Sequence, residues 1–154
     1  MLLSGAADSA GRVIYAGPAW AAIDLGGSCE ARAQSELVAP KGKVQANAGF
    51  AFTSDHRRWG EFHAQLGRVP RPGSSVMLAI GNQSFLLVER GGWAWAGSTV
   101  QDRAIIDLAR ISDGFRIRFR DVSGRRFTDS YSLAGAPTAI DAAAAACAGK
   151  MQPR

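Results

Sequence analysis

Two histidines, two cysteines and a cluster of arginines carry most of the chemistry available to this 154-residue chain. His56 and His63 have Asp55 and Glu61 close by in sequence. Imidazole beside carboxylate suits general acid–base work or metal ligation. On one continuous strand, however, positions 56 and 63 face opposite sides. Glu61 and His63 share a face but supply only two ligands, and no third is evident. A surface polar cluster is the plainer reading, so no metal is expected. A serine hydrolase needs a nucleophile activated by His and oriented by Asp. No GxSxG is present, and a small hydrolase using His63 or His56 stands only as an alternative. Phosphate-cradling GxxxxGK[ST] and GxGxxG loops are missing as well. No catalytic residue is assigned and no cofactor is expected.

Cys29 and Cys147 lie near opposite ends of the chain. There is no CxxC, and two thiols cannot build a structural zinc site. They are either two free buried thiols or one long-range disulfide. The disulfide is favoured, and closing so long a loop would stabilise the fold by roughly 4–5 kcal/mol. It would also place the protein in an oxidising compartment. Cys147 on an alanine-rich face is a poor nucleophile, because apolar surroundings raise a thiol pKa.

Arg116, Arg118 and Arg120, with Arg125 and Arg126, form the densest cationic feature. They are candidate contacts for an anion or an acidic partner. The plainer reading is the solvated face of a strand, where arginines discourage edge aggregation. Phe115 and Phe119 point the other way, so they cannot stack bases beside the arginines. Trp93 and Trp95 share one face of a strand. They are a candidate ligand platform, although paired tryptophans more often anchor a core or an interface. Their face is expected to be mainly buried.

These side chains must be positioned by a chain of about one-domain length. Its formal net charge is +5. A basic surface attracts nucleic acid, anionic lipid or acidic proteins without choosing among them. No apolar run approaches the ~20 residues of a membrane-spanning helix. Met1-Leu2-Leu3 lacks the basic and apolar regions of a complete secretory signal. Residues 1–11 are read as a flexible N-terminal remnant, 12–149 as a single β-rich domain and 150–154 as a tail.

Within that domain, short apolar runs are separated by turn residues. Val13 to Tyr15, Trp20 to Leu25 and Cys29 to Ser35 read as strands, with Gly26-Gly27-Ser28 between the last two. Val44 to Thr53 is a further strand, weakened by Asn47 and Gly49. Glu61 to Leu66 alternates, with Phe62, Ala64 and Leu66 on one face. Ser75–Ile80 and Gln83–Glu89 are apolar on both faces and should sit centrally, joined through Gly81-Asn82. Val100 to Ile111 changes period and predicts a short helix on a Val100, Ala104, Ile105, Leu108, Ile111 stripe, capped by Ser98 or Thr99.

Phe115, Ile117 and Phe119 alternate with the arginines, as in a half-buried strand. A three-residue loop, Val122-Ser123-Gly124, keeps odd positions opposite odd ones. It pairs Phe119 with Phe127 and Phe115 with Tyr131, with Gly124 left-handed. Phe127, Tyr131 and Leu133 continue the apolar face. A terminal alanine-rich helix runs from about Pro137 to Ala148. Ile140, Ala144 and Cys147 share its inward stripe. The fold class is therefore mainly β (α+β): an antiparallel, β-sandwich-like domain with one short helix and a C-terminal helix packed on the sheet.

The string from Gly124 to Gly135, with Ser132-Leu133-Ala134-Gly135 at its end and Ala139-Ile140-Asp141-Ala142 following, resembles the invasion-associated locus B family. Trp20 to Cys29 is similar to that family's early tryptophan strand and cysteine. Val76 to Gly81 with Phe85-Leu86-Leu87-Val88 is similar to its central hairpin. The resemblance implies an exported, β-sandwich-like protein of the periplasm or cell envelope, with no enzymatic activity. Its partner would be an envelope or host protein. No nucleic acid is expected, and a basic nucleic-acid-binding domain using the Arg116/Arg118/Arg120 face is the remaining alternative.

Overall fold

Alternation of apolar and polar residues obliges most of this chain to run extended with one side inward. The computed structural model describes residues 11–149. The expected N-terminal remnant, apart from Gly11, and the tail lie outside the described residues. The strands are β1 (Arg12–Ala16), β2 (Ala21–Asp24), β3 (Ser28–Gln34), β4 (Asn47–Thr53) and β5 (Trp59–Gln65). They continue as β6 (Val76–Ile80), β7 (Gln83–Arg90), β8 (Trp93–Trp95), β9 (Gly114–Arg120) and β10 (Arg126–Ser132). Helix α1 (Thr99–Ala109) precedes β9, and α2 (Ala136–Ala148) follows β10. The strands hydrogen-bond in the order β1-β2-β3-β4-β5-β8-β7-β6-β9-β10, antiparallel throughout.

The two halves of this sheet face each other across an aromatic cluster. Phe62 of β5 meets Phe115 of β9 edge-on at 5.8 Å between ring centres. Tyr131 of β10 stacks on Phe115 at 4.6 Å, and Trp20 stacks on Phe50 at 5.9 Å. The Trp20 indole N–H donates to the Ser132 carbonyl at 2.8 Å. Backbone bonds from Glu36 N–H to Ser130 O (2.8 Å) and from Ala19 N–H to Ala134 O (3.2 Å) tie the two edges together. The result is sandwich-like and mainly antiparallel β.

The β9–β10 hairpin has the register that parity demands. Phe119 opposes Phe127, and Phe115 opposes Tyr131. Gly124 sits at φ +86°. Asp121 holds the loop by accepting from the Ser123 N–H and Oγ–H and from the Arg125 N–H. Arg116, Arg118 and Arg120 are exposed, while Phe115, Ile117 and Phe119 are buried.

Two expectations about the middle of the chain are corrected. In β8 it is Ala94 that is buried; Trp93 and Trp95 point outward, Trp93 exposed and Trp95 half-buried. Strand β7 is central in the sheet order, yet only Phe85 and Leu87 are buried, and Leu86 and Val88 are more than half exposed. A sheet covered on one side buries one side chain in two, whatever the other half is made of.

Helix α1 begins at Ser98, whose hydroxyl accepts the Gln101 N–H. Its buried residues are Ile105 and Ala109, and Val100 and Ile111 are exposed. The expected stripe is thus too long at both ends, and Ile111 lies beyond the helix, which ends at Ala109. The Asp102 carboxylate accepts the Phe62 N–H at 2.9 Å and fixes α1 to β5. No helix among the described residues is long and apolar enough to cross a membrane.

Helix α2 starts after Gly135, at φ +87°, and carries Pro in its first turn. Its buried residues are Ala136, Ala139, Ile140, Ala143 and Cys147; Ala144 is half-buried. It packs on β2 and β3, whose inward positions are also small: Ala22, Cys29, Ala31 and Ala33. Cys29 and Cys147 are disulfide-bonded, with 5.9 Å between Cα atoms across 118 residues of sequence. Small residues allow close approach but bury little area each, so the crosslink adds what packing lacks. The double variant Cys29→Ala/Cys147→Ala should lose roughly 4–5 kcal/mol in a denaturant titration. An unchanged midpoint would mean that packing alone holds α2.

Candidate functional site

The outward side of β3, β4, β5 and β8 assembles residues far apart in sequence. Pairing register sets them in rows. Arg32, Gly49, His63 and Trp95 lie side by side across the four strands, and Val88 of β7 extends that row. Gln34, Asn47, Gln65 and Trp93 form the next row. Glu30, Ala51 and Glu61 form a third. Three interstrand spacings carry the first row about 14 Å from Arg32 to Trp95. Together the rows line a shallow depression of about 540 Å³.

Gly49 explains how this surface packs. A Cβ there would come within 2.6 Å of the Ala31 carbonyl and 3.3 Å of the His63 ring. Its absence lets the imidazole lie over β4, with Nε2 3.6 Å from Glu30 Oε1. Arg32 grips the same oxygen at 2.7 Å. Burial pushes the Glu30 carboxyl up, but the nearby His63 ring and the hydrogen-bonded Arg32 guanidinium outweigh it and hold it at about 2, below its ordinary 4.5. A group so firmly ionised is a poor proton donor near neutral pH. Asn47 donates to Gln65 Oε1 at 3.1 Å, so the amides are oriented. No Ser, Thr, Cys or Tyr lines the depression among the described residues.

The two histidines are not brought together as a working pair. His56 occupies the β4–β5 turn at φ 61°. Its ring lies 4.3 Å from that of Trp59, and its Nε2 lies 3.4 Å from the Cys147 carbonyl of α2. Its neighbours mark it as a support for the helix terminus, whereas His63 belongs to the outer face. Among the described residues, no group of three or more His, Cys, Asp or Glu is placed to hold a metal. The arginine row runs along exposed β9, where Arg118 opposes Met77 on one side and Thr128 on the other. Arg120 spends one guanidinium nitrogen on the Gly124 carbonyl at 2.9 Å.

A second concavity, about 630 Å³, opens at one end of the sandwich. It lies between the β3–β4 connection, the start of the β5–β6 connection and the β9–β10 hairpin. Leu37, Val44, Val69, Val122 and Phe127 line it, and the first four are half or more exposed. At its base Asp129 is 4% exposed and opposes Ile117 in the hairpin. Its Oδ2 accepts the Gly67 N–H at 2.9 Å. Burial pushes its carboxyl up from 3.8 to about 6, and the Gly67 amide and the Arg68 charge counter this only in part. Arg68 is committed elsewhere: it bonds Asp121 at 3.0 Å and lies 4.5 Å over the Phe127 ring.

Sequence reasoning passed over Asp129, although the signal was present. Phe127, Asp129 and Tyr131 have the same parity on β10, so a carboxylate interrupts an inward-facing run. Glu30 was missed for a different reason, since nothing local in Cys29 to Ser35 tells that His63 will pack across it.

No protein-family model, curated protein or solved structure matches this chain.

The Glu30 cluster has a stability signature. A folded-state pKa below the unfolded value stabilises above the unfolded value and is lost as pH falls through the folded one. Glu30→Gln should therefore cost about 1–3 kcal/mol at pH 7. The gap from the native protein should close as pH falls from 4.5 toward 2. Thermal unfolding across pH 7 to 2.5 reads this directly, and a pH-independent gap would place the cost in packing instead.

Proposed function

We propose that the protein is an exported, extracytoplasmic binding module whose open sheet face takes an extended glycan. One observation carries the reading: Trp93 and Trp95 point out of the sheet beside oriented amides and a fixed ion pair. An aromatic face offers an apolar surface to the C–H groups of a sugar ring, while Gln34, Asn47 and Gln65 can exchange hydrogen bonds with its hydroxyls. The rows run for about 14 Å, a span suited to an oligosaccharide rather than a single ring.

Binding rather than turnover suits the chemistry of this face. Glu30 is locked as a carboxylate by Arg32 and His63, and no hydroxyl or thiol nucleophile lines the depression among the described residues. The long-range disulfide supports an oxidising compartment. The resemblance to the invasion-associated locus B family supports the same location in the periplasm or envelope. A hydrolase reading would rest on His63 alone, since His56 is turned to α2. A nucleic-acid reading would rest on the Arg116/Arg118/Arg120 row, which has no outward aromatic neighbour on its own strand.

A second reading has its own observation. Leu86 and Val88 are 56% and 57% exposed, and Val88 adjoins Trp95 in register. Aliphatic side chains next to tryptophans suit an envelope or host protein as partner.

Affinity electrophoresis through gels holding soluble polysaccharides separates the two readings. The native protein should be retarded by at least one glycan, and Trp93→Ala or Trp95→Ala should weaken binding about tenfold, equivalent to ~1.4 kcal/mol. Leu86→Asp should leave it unchanged. Retardation that survives both tryptophan variants would rule the sheet face out. Absence of retardation of the native protein by every glycan would favour the protein partner.

A further inference from the structure

The end groove is a separate site from the open sheet face, and its chemistry is distinct. It is apolar along its walls and holds two buried carboxyls, Asp121, which Arg68 pairs, and Asp129 at its base. Buried carboxylates in folded proteins are normally paired with a cation or several donors. Asp129 has one donor, the Gly67 N–H. A Cβ at Gly67 would lie 2.7 Å from Asp129 Oδ1, so glycine is what admits the carboxyl there. Among the described residues no basic side chain forms an ion pair with it: Arg68 is held by Asp121 and stacked on Phe127. Lys43 is exposed on the rim.

We propose that this groove binds a small amphipathic amine. The ammonium would sit on Asp129 and the apolar body would lie along Val44, Val122 and Phe127. Charge decides the class of ligand. A carboxylate ligand would meet Asp129 as a like charge, and a neutral alcohol would leave that charge unbalanced. An alkylammonium neutralises it and presents up to three donors. The groove volume of about 630 Å³ falls in the ordinary range for small-molecule sites, roughly 300–1,000 Å³. A buried carboxylate with one donor and only partial charge compensation is costly to stability, and such costs gather at functional sites. The groups that face Asp129 are Arg68 on the β5–β6 connection, whose charge partly counters its burial, and Tyr131 on its own strand. Asp121 and Lys43 are the remaining charged groups around the groove.

Isothermal titration of the whole protein with n-hexylamine, n-hexanol and hexanoate tests the assignment. Hexylamine should bind at pH 8 at least tenfold more tightly than hexanol, and hexanoate should not bind. Affinity for the amine should fall about tenfold per pH unit below about 6, because one proton then competes for the carboxylate. Asp129→Asn keeps an acceptor for the Gly67 N–H and should lose at least tenfold in amine affinity. In the native protein, saturating hexylamine should shift the Asp129 carboxyl titration, followed by carbon NMR, below pH 5. Equal binding of hexanol, amine binding that survives Asp129→Asn, or a carboxyl titration unmoved by the amine would each overturn the proposal. None of these outcomes depends on glycan binding at Trp93 and Trp95.

Discussion

Trp20, Phe50, Phe62, Phe115 and Tyr131 meet where the two halves of the sheet close on each other. Their contacts join residues from both ends of the chain, and the Trp20 indole bonds the Ser132 carbonyl to seal the meeting point. Once these rings are inward, alternation assigns a side to the other residues of each strand. His63 faces out because Phe62 faces in. Trp93 and Trp95 face out because Ala94 is the inward residue between them. Asp129 is buried because it shares its side of β10 with Tyr131. Both candidate sites are consequences of that one closure.

The two sites use the constraint in opposite ways. On the outer face, polar and aromatic residues occupy solvent positions at little cost, and pairing register builds a surface from four strands. A Glu30 carboxylate there has Arg32 and His63 for company. In the end groove the same alternation carries Asp129 to an interior position with a single donor. Ionising it destabilises the fold, since its folded-state pKa is raised: stability is fullest below the unfolded value and declines as pH rises through about 6. Holding it ionised at neutral pH costs the fold ~3 kcal/mol at most. Val, Leu or Phe at 129 would avoid that cost but would leave the Gly67 N–H without its acceptor.

The helices complete the sandwich with unequal means. Helix α1 is anchored by a polar contact, Asp102 to the Phe62 amide, close to the strand that carries His63. Helix α2 meets β2 and β3 through alanines on both sides, a fit that brings backbones close but buries little carbon per residue. The disulfide between Cys29 and Cys147 spans 118 residues of sequence, which makes the last helix depend on the oxidation state of its surroundings. His56, with its ring on Trp59 and its nitrogen near the Cys147 carbonyl, sits at that same junction.

Local pattern determined a good deal of this protein by itself. The β9–β10 register follows from the parity of Phe115 to Tyr131 and the length of one loop. The two helices follow from a change of period and from a Pro-to-Gly frame around an alanine run. The disulfide is favoured over two free buried thiols because two lone cysteines near opposite ends of the chain suit a long-range staple, and the structure bonds them. What local pattern lacks is information about which of two apolar faces is covered. Leu86 and Val88 look as interior as Phe85 and Leu87, and Trp93 looks more interior than Ala94. Only the closed sheet separates them, because burial is a property of what lies opposite. The same holds for function. Glu30, Gly49, His63 and Trp95 are neighbours only through the order in which strands pair, and the loneliness of Asp129 exists only after Arg68 has turned to Asp121.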